Sequence, residues 1–160
     1  MKDYLNNSII FADGLDHPEC VAIHPDGSVW AGGEGGQIYK ITEDGAKITE
    51  VVNTGGFILG IAFHPSGDWL LICDLNNHCL WKLDIHNYEL NKFSEGSNDH
   101  KYNIPNYAVF DDDGNCYVTE SGAFREISGK ILKYNQHGKG IIWHNGPFNF
   151  ANGLALNYSQ

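Results

Sequence analysis

Apolar and polar positions follow one phrase that returns along the chain: an apolar run, a Pro or Asp turn ending in glycine, then a second apolar run. It reads CVAIHPDGSVWAGG from Cys20, GIAFHPSGDWLLICD from Gly60 and YAVFDDDGNCYVTES from Tyr107, and a fourth copy opens as GLALNYSQ at Gly153. Two further runs of β-branched and aromatic residues with a period of two follow each turn, the pattern of half-buried strands. They are GQIYKIT and KITEVVN in the first unit, HCLWKLD and ELNKFSE in the second, and GKILKYN and GIIWHN in the third. Polar turns such as Glu43-Asp44-Gly45 and His137-Gly138 join them. The stretch from Asp68 to Glu95 is long enough without Gly or Pro to suggest a helix, but the polar loop Asp74-Leu75-Asn76-Asn77-His78 interrupts it. Each unit therefore predicts four strands and no helix.

Aligned on the turn glycines Gly27, Gly67 and Gly114, with Gln160 where the fourth would fall, the repeat has spacings of 40, 47 and 46 residues. That period suits the four-stranded antiparallel blade of a β-propeller. The expected fold class is all-β, with blade units at about 15–56, 57–104 and 105–150 and the start of a fourth at 151–160. At the other end, IIFADGLDHPECVAI from Ile9 lines up with IIWHNGPFNFANGLAL from Ile141. Ile9 to Ala12 thus reads as an outermost strand preceding the first inner strand. Propellers close with about four to eight blades, so the chain reads as a partial propeller, about three blades of a ring. It is expected to be truncated, or to be half of a ring completed by another copy. Uncovered blade faces then favour self-association.

Composition narrows the class. The chain has 160 residues, 10 basic against 20 acidic side chains and a formal charge of −10, which argues against nucleic acid as a partner. Its 19 glycines and 12% aromatic residues fit many turns around a packed core rather than disorder. Cys20, Cys73, Cys79 and Cys116 are too irregularly spaced for a disulfide scaffold or a paired-CxxC zinc site, and are expected to be reduced and buried. The apolar run Ile9–Ala12 is too short for a signal-peptide core or a membrane span, so the expected location is cytoplasmic, with no membrane partner.

Candidate chemistry comes from the repeat itself. Residues at one register on successive inner strands converge on the central channel of a propeller. Eight residues before the turn glycine, the four units carry Glu19, Leu59, Asn106 and Asn152. Three of these are oxygen donors, the ligand type of hard divalent cations such as Ca²⁺. The same residues also suit a purely structural role, with the two asparagines capping turns after Pro105 and Ala151 and Glu19 solvated at a loop. His24 and His64 precede turn prolines and read as turn polarity. His144 lies at the end of an outer strand, far from the channel. Ser121 lacks a GxSxG elbow, and Gly32 to Gly36 joins two strands rather than a strand and a helix, which excludes a phosphate loop.

Several phrases carry a family resemblance: His17-Pro18-Glu19 before an apolar strand, Gly36-Gln37-Ile38-Tyr39-Lys40-Ile41, Leu59-Gly60-Ile61-Ala62-Phe63, Ile104-Pro105-Asn106, Gly129-Lys130-Ile131-Leu132-Lys133-Tyr134 and Phe150-Ala151-Asn152-Gly153-Leu154-Ala155. Together they resemble the N-terminal half of the gluconolactonase, regucalcin and strictosidine-synthase-like superfamily, nearest its strictosidine-synthase-like and paraoxonase-like branches. The resemblance implies a six-bladed propeller whose lactonases bind Ca²⁺, or another divalent cation, in the central channel and hydrolyse small-molecule lactones or esters. It assigns Glu19, Asn106 and Asn152 as metal ligands and places a further metal aspartate in a later blade, beyond Gln160. Tyr107 stands where many lactonases carry Asp, and Leu59 where paraoxonase-like enzymes carry a functional His. No general base is visible. The alternatives are a non-catalytic NHL-like binding propeller, which Asp74 to Lys82 also resembles, and an inactive fragment.

Overall fold

The computed structural model describes residues 8–157, and its regular structure is strand throughout. The first sheet is the meander β1 (Val21–Ile23), β2 (Val29–Gly32), β3 (Gln37–Ile41) and β4 (Ile48–Asn53). The second is β5 (Ile58–Phe63), β6 (Trp69–Asp74), β7 (Cys79–Asp84) and β8 (Leu90–Ser94). A two-stranded hairpin, β9 (Gly96–Ser97) and β10 (His100–Lys101), precedes the third sheet, β11 (Pro105–Phe110), β12 (Cys116–Glu120), β13 (Gly129–Tyr134) and β14 (Gly140–Phe148). Every pairing is antiparallel between consecutive strands, so each four-stranded sheet is one propeller blade.

One turn geometry serves all three inner hairpins. The N–H groups of Gly27, Gly67 and Gly114 donate to the carbonyls of His24, His64 and Asp111 at 2.9, 2.8 and 3.0 Å. All three glycines are left-handed, with φ of 86°, 78° and 78°, which is why glycine recurs at the point on which the repeat aligns.

The blades pack face to face, and this explains the sequence of β6. Its residues WLLICD are buried throughout, with Leu70 and Ile72 packed towards the first blade among Trp30, Ile38, Ile58 and Ile61. Trp69, Leu71 and Cys73 pack the other way, onto Ala108, Cys116, Val118 and Leu132 of the third blade. A strand covered on both faces has no polar alternation to show. The turn histidines reach across these seams. The His24 ring lies 5.0 Å from Phe63 and its Nε2 is 3.1 Å from the Gly67 carbonyl, while the His64 ring stacks on Trp69 at 4.8 Å and meets Phe110 edge-on at 5.3 Å.

Two features depart from the sequence reading. Ile9 to Ala12 are not a strand: Ile9 and Ile10 are 89% and 82% exposed, and among the described residues no strand lies beside them to complete a ladder. The β9–β10 hairpin was not anticipated, because SEGSNDHK has no apolar alternation. The fourth turn position, Gln160, lies outside the described residues. All four cysteines are buried and unpaired, and burial pushes the Cys79 thiol up to about 12.

Candidate functional site

Glu19, Leu59, Asn106 and Asn152, the four positions that share a register, line a single cavity of about 220 Å³ together with Leu75, Tyr107 and Phe150. A larger hollow of about 470 Å³ lies at the β3–β4 turn, but its walls are Thr42, Glu43, Asp44, Ala46 and Lys47 of one surface loop, with no convergence between blades.

Irregular strand pairing aims these side chains. In β11 the register shifts between Pro105 and Tyr107, leaving Asn106 without a cross-strand partner, and in β5 it shifts between Ile58 and Ile61 around Leu59 and Gly60. Such bulges re-aim one residue at the cost of a local ladder bond, and here the Tyr107 N–H donates instead to Thr119 Oγ1 at 3.0 Å. Gly60 is required by the approach of the neighbouring inner strand, since a Cβ there would collide with the Asn106 carbonyl.

Asn106 is buried and its amide has one orientation. Nδ2 donates to Ser121 Oγ at 2.9 Å, and that hydroxyl spends its own proton on the Ala151 carbonyl at 2.6 Å. Nδ2 therefore faces Ser121, and among the described residues nothing donates to Oδ1, so an acceptor oxygen remains for the cavity. Thr119 Oγ1 similarly donates to the Asn152 carbonyl at 2.8 Å, tying residues 151 and 152 against β12. Ser121 is thus a buried connector between Asn106 and the segment that carries Asn152.

Two fully buried carboxylates hold the segments entering the inner strands. Asp74 Oδ1 accepts the N–H groups of Phe57 and Asn77, both at 3.1 Å, while Oδ2 accepts Asn77 Nδ2 at 2.8 Å and Trp81 Nε1 at 3.0 Å. Glu120 Oε2 accepts the Asn103 N–H at 3.1 Å, and Oε1 accepts those of Ile104 and Gly122 at 3.1 and 3.0 Å. Glu120 thereby fixes the backbone two residues ahead of Asn106.

Glu19 has a neighbour that sequence reasoning passed over. His17 Nε2 lies 3.4 Å from Glu19 Oε1, and His17 Nδ1 lies 2.7 Å from Glu34 Oε2. The hydrogen bond and charge of Glu34 hold the His17 pKa above the ordinary imidazole range. No local sequence pattern marked it; His17 has a left-handed φ of 42° that only the structure shows. Tyr107 is no ready base: the adjacent Cys20 and partial burial push its phenol upward.

As a cation site the cavity supplies one carboxylate, from Glu19, and amide oxygens from Asn106 and Asn152. Among the described residues no three His, Cys, Asp or Glu side chains converge on one metal-sized point. The set fits a divalent cation that completes its shell with water, and with one formal charge it fits such an ion weakly.

Comparison with known proteins agrees with the fold. Residues 7–41 match the N-terminal part of the strictosidine synthase-like family. The structure is similar to that of a gluconolactonase from Xanthomonas campestris described as important in glucose secondary metabolic pathways, with a TM-score of 0.71 and 14% identity over 83% of this chain and 49% of that one. It is also similar to a structural-genomics protein provisionally named a gluconolactonase, with a TM-score of 0.70 and 15% identity over 84% of this chain and 51% of the other. A chain in a nidogen/laminin complex matches with a TM-score of 0.68 and 19% identity over 79% and 48% of the two chains. No curated protein matches the sequence. Over its N-terminal part the chain thus carries the likeness to the strictosidine-synthase-like and gluconolactonase propellers read from its motifs. It spans about half the length of the gluconolactonase structures it matches.

Proposed function

We propose that this chain forms part of a lactone- or ester-hydrolysing site of the gluconolactonase type, built around a divalent cation held by Glu19, Asn106 and Asn152. The observation that carries this reading is the convergence of those three oxygen donors, from the first, third and fourth repeat positions, on one cavity. A cation bound there would polarise the substrate carbonyl and stabilise its developing oxyanion. Glu19 contributes the charge, Asn106 an amide fixed by Ser121, and Leu59, Leu75, Tyr107 and Phe150 an apolar wall against the body of the substrate. The partner is a small-molecule lactone or ester. The net charge of −10 disfavours nucleic acid, and among the described residues no helix is long and apolar enough to cross a membrane. Four unpaired buried cysteines suit a reducing compartment such as the cytoplasm.

Calorimetry of the 160-residue chain with Ca²⁺ tests the cation site. The expected dissociation constant is in the ~10⁻⁴ to 10⁻³ M range of sparsely charged sites, with binding lost in Glu19→Gln and lactone hydrolysis slow or absent. Binding that is unchanged in Glu19→Gln overturns the assignment.

A further inference from the structure

The turns that join the second and third strands of each blade differ in length. They have four residues in the first blade (33–36) and four in the second (75–78), but eight in the third (121–128). Leu75, from the second of these turns, lines the cavity of Glu19, Asn106 and Asn152. The longer third turn holds Phe124 and Ile127 in solvent, 71% and 65% exposed. Its base is nonetheless fixed: the Ala123 N–H donates to Ser128 Oγ at 3.0 Å, and Asn103 Nδ2 donates to the Gly122 carbonyl at 3.1 Å. The Phe124 ring meets Phe150 edge-on, with centroids 5.9 Å apart, and the Arg125 guanidinium lies 5.4 Å from its centroid. Phe150 is itself a wall of the cavity. The apolar lining of Leu59, Leu75 and Phe150 therefore continues out of the cavity mouth onto Phe124.

The polar side of the same cavity is sparse. Beyond Glu19, Asn106 and Asn152, the one polar side-chain group in its lining among the described residues is the Tyr107 hydroxyl. A polyhydroxylated ring seated there would bury several hydroxyls with few partners, and each unpaired one costs affinity. An alkyl substituent gains instead by leaving water for the Phe150–Phe124 surface.

We propose that Phe124 is a specificity-determining residue at the mouth of this site, and that the substrate is a lactone or ester bearing an apolar chain rather than a polyhydroxylated one. The ring or ester group faces the three oxygen donors and the chain runs out over Phe150 and Phe124. This inference rests on the proposed hydrolase site for its reacting group, but the contact with the chain is independent of the cation.

The test compares three six-membered lactones on the 160-residue chain with Ca²⁺ present: δ-valerolactone, which has no substituent, δ-decalactone, which carries a pentyl chain, and polyhydroxylated glucono-δ-lactone. Affinities are read by calorimetry or NMR titration. A buried methylene is worth roughly fourfold in affinity, so a pentyl chain about half covered by the two rings should bind about thirtyfold tighter than the bare ring. Phe124→Ser removes one of those rings from an exposed position, and the pentyl gain should fall to about sixfold. Phe124→Leu should restore most of it, and Ca²⁺ affinity, the control for an intact fold, should stay the same in both variants. A purely structural Phe124 would change stability without changing the ratio between lactones. A pentyl gain that survives Phe124→Ser, as it would if the chain sat on the open blade faces, overturns the inference, as does glucono-δ-lactone binding as tightly as δ-decalactone. If Glu19→Gln leaves Ca²⁺ binding untouched while the pentyl gain still depends on Phe124, the cation assignment fails and the Phe124 contact stands. If Ca²⁺ binding depends on Glu19 but the pentyl gain is absent, the Phe124 inference alone fails.

Discussion

Substituting Glu120 tests the link between fold and site most directly. The side chain is fully buried and accepts three backbone N–H groups, those of Asn103, Ile104 and Gly122. Glu120→Ala leaves all three without a protein acceptor. Each buried unsatisfied donor costs about 1–3 kcal/mol, offset in part by removal of a desolvated charge and by water entering the space, so about 4 kcal/mol of stability should be lost. Glu120→Gln keeps one oxygen, best placed where Oε1 serves Ile104 and Gly122, and turns an amide N–H₂ towards the Asn103 N–H. One charge-assisted bond is lost and two become neutral, about half as strong, which gives a loss of about 2 kcal/mol. Urea unfolding followed by tryptophan fluorescence and circular dichroism measures both values. Against a typical total of about 5–15 kcal/mol, the alanine variant should be close to unfolding. In the glutamine variant the entry to β11 should loosen, and the cation binding proposed for Asn106 should weaken along with stability. A loss below about 1 kcal/mol in Glu120→Ala would refute the reasoning, because three buried donors cannot lose their acceptor so cheaply.

Two further outcomes are expected. Burial, then the nearby Lys82 charge, holds the His64 pKa below its ordinary value despite Asp68; the unfolded chain therefore binds more protons between the two pKa values, and stability should fall as pH drops through about 6.5. Thermal midpoints across that interval should show a shallower pH dependence in His64→Gln, and an unchanged slope refutes the assignment. The open faces of the outer blades expose Val21 and Ile23 at one end and Ile141 and Trp143 at the other, so light scattering should find a dimer or larger species that shifts towards monomer in Val21→Thr/Ile23→Thr. A clean monomer at high concentration refutes self-association through these faces.

The repeat was legible from sequence because its causes are local. Period-two alternation marks a strand wherever one face is buried, and a glycine at a left-handed turn position marks the hairpin regardless of what packs on it. Counting back from that glycine was enough to select Glu19, Asn106 and Asn152, which line one cavity. WLLICD read from sequence only as an apolar run of the repeat, and packing shows that it is buried on both faces, with alternate residues serving two different cores.

What stayed hidden depends on groups far apart in the chain or on partners that a local pattern does not contain. Asp74 belonged to a stretch that reads as a polar loop, and Glu120 was an undistinguished strand end; only the fold brings in the backbone donors that make burial of their charge tolerable. Ile9 to Ala12 have the composition of a strand, but a strand exists only as part of a ladder, and none adjoins them among the described residues. His17 and Glu34 are 17 positions apart, and no periodicity relates an entry loop to the β2–β3 turn. Sequence by itself determined the blade and its register, because those follow from side-chain alternation and turn stereochemistry. The tertiary structure alone decided which carboxylates are buried, which imidazole meets Glu19 and which way the Asn106 amide turns, because each depends on hydrogen-bond partners delivered by a different part of the chain.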